Sequence, residues 1–149
     1  MEIQQYSYWR EVRRHFWESR MNRWAFRGLV FLIFVALFGD FIANDKPLYC
    51  KIEGKISFPV LKAYAIDFGL SKPRSDYFNR NWAEVDYEKV VFPLIPYAST
   101  TIDRKNMQLT APNGPQNVRS KRWRHWLGTD EIGRDIAAGL VAGTRVALL

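Results

Sequence analysis

Residues 24–43, WAFRGLVFLIFVALFGDFIA, are the longest apolar block of the chain. Twenty residues reach about 30 Å as a helix, the thickness of a bilayer core. No charge falls between Gly28 and Gly39. The pattern predicts a membrane-spanning helix. Arg27 snorkels at one end, Asp40 reaches the interface at the other, and Trp24 and Phe41 suit interfacial positions. A cleaved signal peptide is the competing reading of such a block. Against it, 27 residues with six arginines precede the uncharged run, and Phe41-Ile42-Ala43 puts a bulky ring where a cleavage site wants a small residue. A retained anchor is expected.

Residues 6–23 read as an amphipathic helix. Trp9, Val12 and Phe16 recur at helical spacing, with Arg10, Arg13, Arg14 and Arg20 outside the stripe. A basic, aromatic helix beside a span is expected to lie in the headgroup layer. A docking helix for a cytoplasmic partner is the other reading. The arginine excess before the span, Arg10 to Arg27 against Glu2, Glu11 and Glu18, predicts a cytoplasmic N-terminus.

After the span the periodicity changes. LYCKIEGKISF alternates around Glu53-Gly54 and predicts a β-hairpin, Tyr49 to Ile52 against Lys55 to Phe58, bracketed by Pro47 and Pro59. Val60 to Phe68 reads as either a short helix or a strand. Residues 71–88 read as loop with short helical turns. VVFPLIPYAST is apolar, broken by Pro93 and Pro96, and is expected to pack on the hairpin. Residues 103–124 read as loop. From Thr129 the pattern turns helical, with Thr129 or Asp130 as cap and Asp130 and Arg134 as an i, i+4 pair. Gly139, Gly143 and Ala147 form a small-residue stripe suited to close helix packing. The final apolar run, RVALL, reads as the start of a second span, which makes the chain the expected N-terminal part of a longer membrane protein.

The fold class expected is therefore a mainly α membrane protein. Residues 1–23 form a cytoplasmic amphipathic helix and 24–43 a transmembrane helix. Residues 44–128 form a long extracytoplasmic loop with a small hairpin, and 129–149 a helix leading from the periplasmic side into a second span.

Composition changes this picture little. The chain has 149 residues, is 48% hydrophobic, and carries a formal net charge of +7. Its mean hydropathy of −0.27 looks soluble only because the apolar residues are concentrated. The positive charge invites a nucleic-acid partner, but it divides into a membrane flank and a mixed-charge loop, and no recognition motif is visible. No nucleic acid is expected. Cys50 has no second cysteine to pair with and reads as a packed thiol. His15 and His125 fall on opposite sides of the predicted span, so they cannot share a metal or a catalytic site.

The densest chemistry is HWLGTDEIGRD, residues 125–135. Asp130, Glu131 and Asp135 suggest paired carboxylates or a hard-metal site. On a helix, however, Asp130 and Glu131 point about 100° apart and Arg134 lies within reach to neutralise one. Two glycines, Gly128 and Gly133, are too few for a phosphate loop. The residues read as a structural corner, with no catalytic, cofactor or metal role.

HWLGTDEIGRD…GTRVALL resembles the signature before the second span of the inner-membrane permeases of bacterial dipeptide and oligopeptide ABC importers. That signature is His-Pro-apolar-Gly-Thr-Asp, two residues, Gly-Arg-Asp, then Gly-x-Arg. It falls on His125, Leu127, Gly128, Thr129, Asp130, Gly133, Arg134, Asp135, Gly143 and Arg145. Trp126 stands in place of the proline, and Ala138-Gly139 where a Ser-Arg pair is common. The basic N-terminus running into RGLVFLIFVALF is similar to the family's first span. IANDKPL and FPVLK, with the enlarged loop, resemble the microcin C-type branch. The resemblance implies a permease subunit that pairs with a second permease subunit, is driven by separate ABC ATPase subunits, and receives peptide from an extracytoplasmic peptide-binding protein. It implies no cofactor. It implies a gating role for the motif at the outer mouth of the pathway. The enlarged loop is then expected either to help receive the binding protein, with Tyr64, Tyr77, Trp82 and Trp123 as candidate contacts, or to form a self-contained structural cap with its aromatic residues packed inside. The rival class is a single-pass anchored protein with an extracytoplasmic interaction or enzymatic domain.

Overall fold

The computed structural model describes residues 8–72 and 80–148. Helix α1, Tyr8–Glu18, is exposed along its length. Trp17 and Phe16 meet Phe26 edge-on, at 5.1 and 6.3 Å between ring centroids, which sets α1 against the start of the next helix. Helix α2, Arg20–Ile42, begins after Ser19, whose backbone is extended. Its 23 residues make it long and apolar enough to cross a membrane. Its apolar side chains are exposed, Phe31 at 63% and Leu37 at 55%. A soluble core helix would bury such residues; a spanning helix gives them to lipid. The helix breaks its regular φ/ψ at Phe38, just before Asp40.

Strands β1 (Tyr49–Ile52) and β2 (Lys55–Ser57) pair antiparallel, Cys50 opposite Ser57 and Ile52 opposite Lys55. Glu53 and Gly54 both take positive φ, 48° and 75°, the backbone of a two-residue hairpin turn that follows strand twist. The ambiguous segment after it is helix α3, Pro59–Asp67, opened by the proline. Strand β3, Lys89–Val91, adds to the other edge of β1, giving the order β2-β1-β3. Cys50 is fully buried beneath Trp82, with Ile52, Ala63, Ile66, Tyr87 and Val90 packed around. Of the loop expected at 71–88, residues 73–79, Tyr77 among them, lie outside the described residues.

A second small core joins Ala43, Tyr97 and Ala138, flanked by Ile95, Trp123 and Val141. It seats helix α4, Ile136–Leu148, against α2. The contact uses Ala138 and Val141. A Cβ placed on Gly39 would stand 3.2 Å from Val141 Cγ1. Gly139 and Gly143 have open space where a Cβ would stand, so the predicted small-residue stripe faces away from α2.

The helix predicted from Thr129 begins seven residues later, at Ile136. Gly128 and Gly133 are the reason. Their φ angles are +80° and +88°, which no helix accommodates. Between them the chain doubles back, with Thr129 and Asp135 bridged antiparallel.

Candidate functional site

The turn from Gly128 to Gly133 is closed by Asp130. Its Oδ1 accepts from the backbone N–H of Ile132 (3.1 Å) and of Arg134 (2.8 Å), and its Oδ2 accepts from Arg134 Nε at 2.8 Å. The predicted Asp130–Arg134 pair therefore exists, inside a turn and not on a helix. Asp130 does not cap the helix. Asp135 does, with Oδ1 accepting from Ala138 N at 2.7 Å. Both glycines are also pinned sterically. A Cβ at Gly128 would collide with the Thr110 carbonyl oxygen, and one at Gly133 with that of Asp103.

Asp135 has a second task. Its Oδ2 stands 2.8 Å from His125 Nδ1, and His125 Nε2 stands 3.2 Å from Asp103 Oδ2. The ring stacks on Tyr97 at 4.3 Å between centroids, and His125 has no exposed surface. A carboxylate only accepts, so two carboxylates require both ring nitrogens to donate. Burial pushes the His125 pKa down, but the hydrogen bonds to Asp135 and Asp103 and their charges outweigh it, and the net direction is up. Burial pushes Asp103 up. Hydrogen bonds from Asn106, the Lys105 backbone and His125 outweigh it and hold Asp103 below its ordinary value. Tyr97 is raised by its burial and by the neighbouring Asp103 and Asp135 charges.

Around this chain of three, the loop is clamped by side-chain bonds to backbone. Gln116 holds His125 from both sides, Oε1 accepting from its N–H (2.8 Å) and Nε2 donating to its carbonyl (3.0 Å). Buried Thr129 donates to the Asn106 carbonyl at 2.6 Å and accepts from Thr110 N at 3.2 Å. Asn106 donates to Asp103 (2.8 Å) and accepts from Asn117 N (2.8 Å). The basic run is spent on carbonyls as well, Arg122 on Phe92 and Arg124 on Pro112.

Both nitrogens of the histidine are occupied by carboxylates. Among the described residues no group of three His, Cys, Asp or Glu is arranged to hold a metal ion. The arrangement suits anchoring. It fixes one end of α4 to the segment between the helices.

Residues 7–52 match the family model for the N-terminal TM domain of oligopeptide transport permease C. The chain is 31% identical over 139 residues to the inner membrane ABC transporter permease protein YejE of Escherichia coli K12, across 90% of this chain and 38% of that protein. It is 28% identical over 164 residues to the peptidoglycan transport system permease protein YejE of Agrobacterium fabrum, across 91% of this chain and 41% of the relative. The chain is thus similar to ABC-transporter permeases along nine tenths of its length. It spans about two fifths of the length of these two relatives. A nickel transport system permease protein, NikC of Escherichia coli K12, is 53% identical over a shorter stretch of 34 residues, 23% of this chain and 12% of that protein. No solved structure gives a significant match.

In the fold the motif divides into three sets. His125, Gly128, Thr129, Gly133 and Asp135 are buried in the corner, while Asp130 and Arg134 close the turn nearer the surface. Gly143 and Arg145 lie apart, on α4. Arg145 Nη1 donates to Asp40 Oδ2 at 3.1 Å. Asp103, Asn106 and Gln116 were not singled out in the sequence, and Asp40 was placed at the interface without its partners. Asp103 and Asn106 lie in a loop with no period, and nothing in spacing marks residues 22 or 105 apart as partners. Of the aromatic residues expected as outward contacts, the three that are described turn inward. Trp82 is buried beside Cys50, Trp123 packs edge-on against Phe92 and Tyr97, and Tyr64 donates its hydroxyl to Asp40.

Proposed function

We propose that the chain works in an ABC transporter that imports peptides across the bacterial inner membrane. The protein is a permease subunit and hydrolyses no ATP. Separate ABC ATPase subunits power it, a second permease subunit completes the pathway, and an extracytoplasmic binding protein delivers the peptide. The N-terminus is cytoplasmic and residues 44–128 are extracytoplasmic. The observation carrying this reading is the match that starts before the spanning helix and extends, in the two YejE relatives, over nine tenths of the chain. The nickel-permease likeness covers under a quarter of it, which favours a peptide over a metal cargo. The arginine flank supports the topology.

In this reading the motif shapes and gates the mouth of the pathway by holding α4. His125, Gly128, Thr129, Gly133 and Asp135 set the corner. Asp130 and Arg134 stiffen the turn, and Gly143 and Arg145 act further along the helix. The test is twofold. A reporter active only outside the cytoplasm, fused after Lys105 in the full-length protein, is expected to be active; a silent reporter in a stable fusion contradicts the topology. A strain lacking the gene is expected to lose uptake of a labelled peptide and regain it on complementation, with nickel uptake unchanged. Loss of nickel uptake instead would reassign the cargo.

A further inference from the structure

Asp40 follows the uncharged run of α2, near the end of that helix, and Arg145 is the one charge in α4, near its end. They are 105 residues apart in sequence and meet at 3.1 Å. The same Asp40 oxygen accepts the Tyr64 hydroxyl at 2.6 Å, and Tyr64 belongs to α3. Phe41 stacks on Tyr64 at 6.0 Å and 15°, which holds the ring over the end of α2. One carboxylate thus joins three helices. It borders a cleft of about 250 Å³ between α2, α4 and the Ala98-Ser99 turn, so the pair is partly solvated, Asp40 at 36% and Arg145 at 53% side-chain exposure. A charge in a membrane-associated helix is costly unless it is paired, and such residues are commonly functional.

Helix α4 is consequently held at two levels. Asp135, through His125 and Asp103, fixes its first turn to the loop. Arg145, through Asp40 and Tyr64, fixes its far end to α2 and α3. We propose that Asp40, Arg145 and Tyr64 form a coupling node that makes α4 move with the segment between the two helices, so that displacement of that segment during transport reaches the helix pair. Asp40 and Arg145 are positioning residues. The proposal rests on the permease reading for its role in transport, but the node itself is read from geometry.

The test uses the assembled transporter in proteoliposomes, with other cysteines replaced by serine and a cysteine pair at Gly39→Cys and Val141→Cys. Those positions face each other where the helices touch. Onto this background go Asp40→Asn, Arg145→Gln, Tyr64→Phe, and the exchange Asp40→Arg with Arg145→Asp. Each charge-removing variant is expected to lower the cross-linking rate between the cysteines about fivefold or more, the lower end of ordinary coupling between sites. The ATP hydrolysed per peptide delivered is expected to rise alongside, and the exchange to restore both. Tyr64→Phe is expected to fall between. Unchanged cross-linking in Asp40→Asn and Arg145→Gln overturns the node. So does an exchange that assembles yet performs no better than the single variants. Absence of peptide uptake in the unmodified transporter would strike the permease reading alone, since cross-linking reports the node without transport.

Discussion

With both ring nitrogens on carboxylates, His125 holds its proton more tightly in the folded chain than in the unfolded one. Its stabilising contribution is complete below the ordinary histidine value of about 6.5 and is lost as pH rises through the raised folded value. Asp103 works in the opposite sense. Its contribution is present above about 3.9 and is lost as pH falls through its lowered folded value. The corner is therefore expected to be most stable between these limits, and thermal melting against pH checks it; a melting temperature that climbs steadily above pH 7 contradicts the assignment. His125→Ala leaves Asp135 buried without its partner, and loss of one member of a buried pair costs about 3–5 kcal/mol. Gly128→Ala forces a left-handed backbone against the Thr110 carbonyl and is expected to cost roughly 1–3 kcal/mol, read from a denaturation midpoint. The motif residues themselves were legible in the sequence as a corner. Their partners were not. Asp103 and Gln116 reach His125 across loop segments that carry no periodic signal, so only the folded chain brings them together.

Helix α2 and the alternation at Glu53-Gly54 are local signals, written in consecutive residues, and each stands in the structure close to where the pattern put it. The start of α4 is different. Capping residues, a favourable charge pair and helix-forming neighbours all pointed to Thr129, yet two glycines at positive φ and the bridge to Asp135 delay the helix to Ile136. Local propensity lost to a turn closed by side chains. The α2–α4 crossing gives a prediction at this scale. Gly39→Leu is expected to separate the helices, because even a Cβ is within 3.2 Å of Val141. Cross-linking between neighbouring positions, measured in the full protein, is expected to fall; equal cross-linking would mean that the crossing is loose. Trp82 offers a second. It is 6% exposed over Cys50, and truncating a buried aromatic residue costs about 3–5 kcal/mol, so Trp82→Ala is expected to free the Cys50 thiol for labelling. A thiol that stays unreactive would show the small sheet core to be self-sufficient.

At the scale of the whole molecule, a helix long and apolar enough to cross a membrane and a second apolar helix are joined by a segment with its own two small cores. Composition had hidden that organisation under an average hydropathy, while the order of apolar and polar stretches carried it. Two of the aromatic residues expected on the surface of the segment, Trp82 and Trp123, pack into those cores instead. The most direct measurement is ATP-driven accumulation of a labelled peptide in proteoliposomes holding the complete transporter, with and without this subunit, and with nickel offered in parallel. The account predicts peptide accumulation that needs the subunit, and none of nickel. Peptide accumulation without it, or nickel accumulation in its place, would contradict the account.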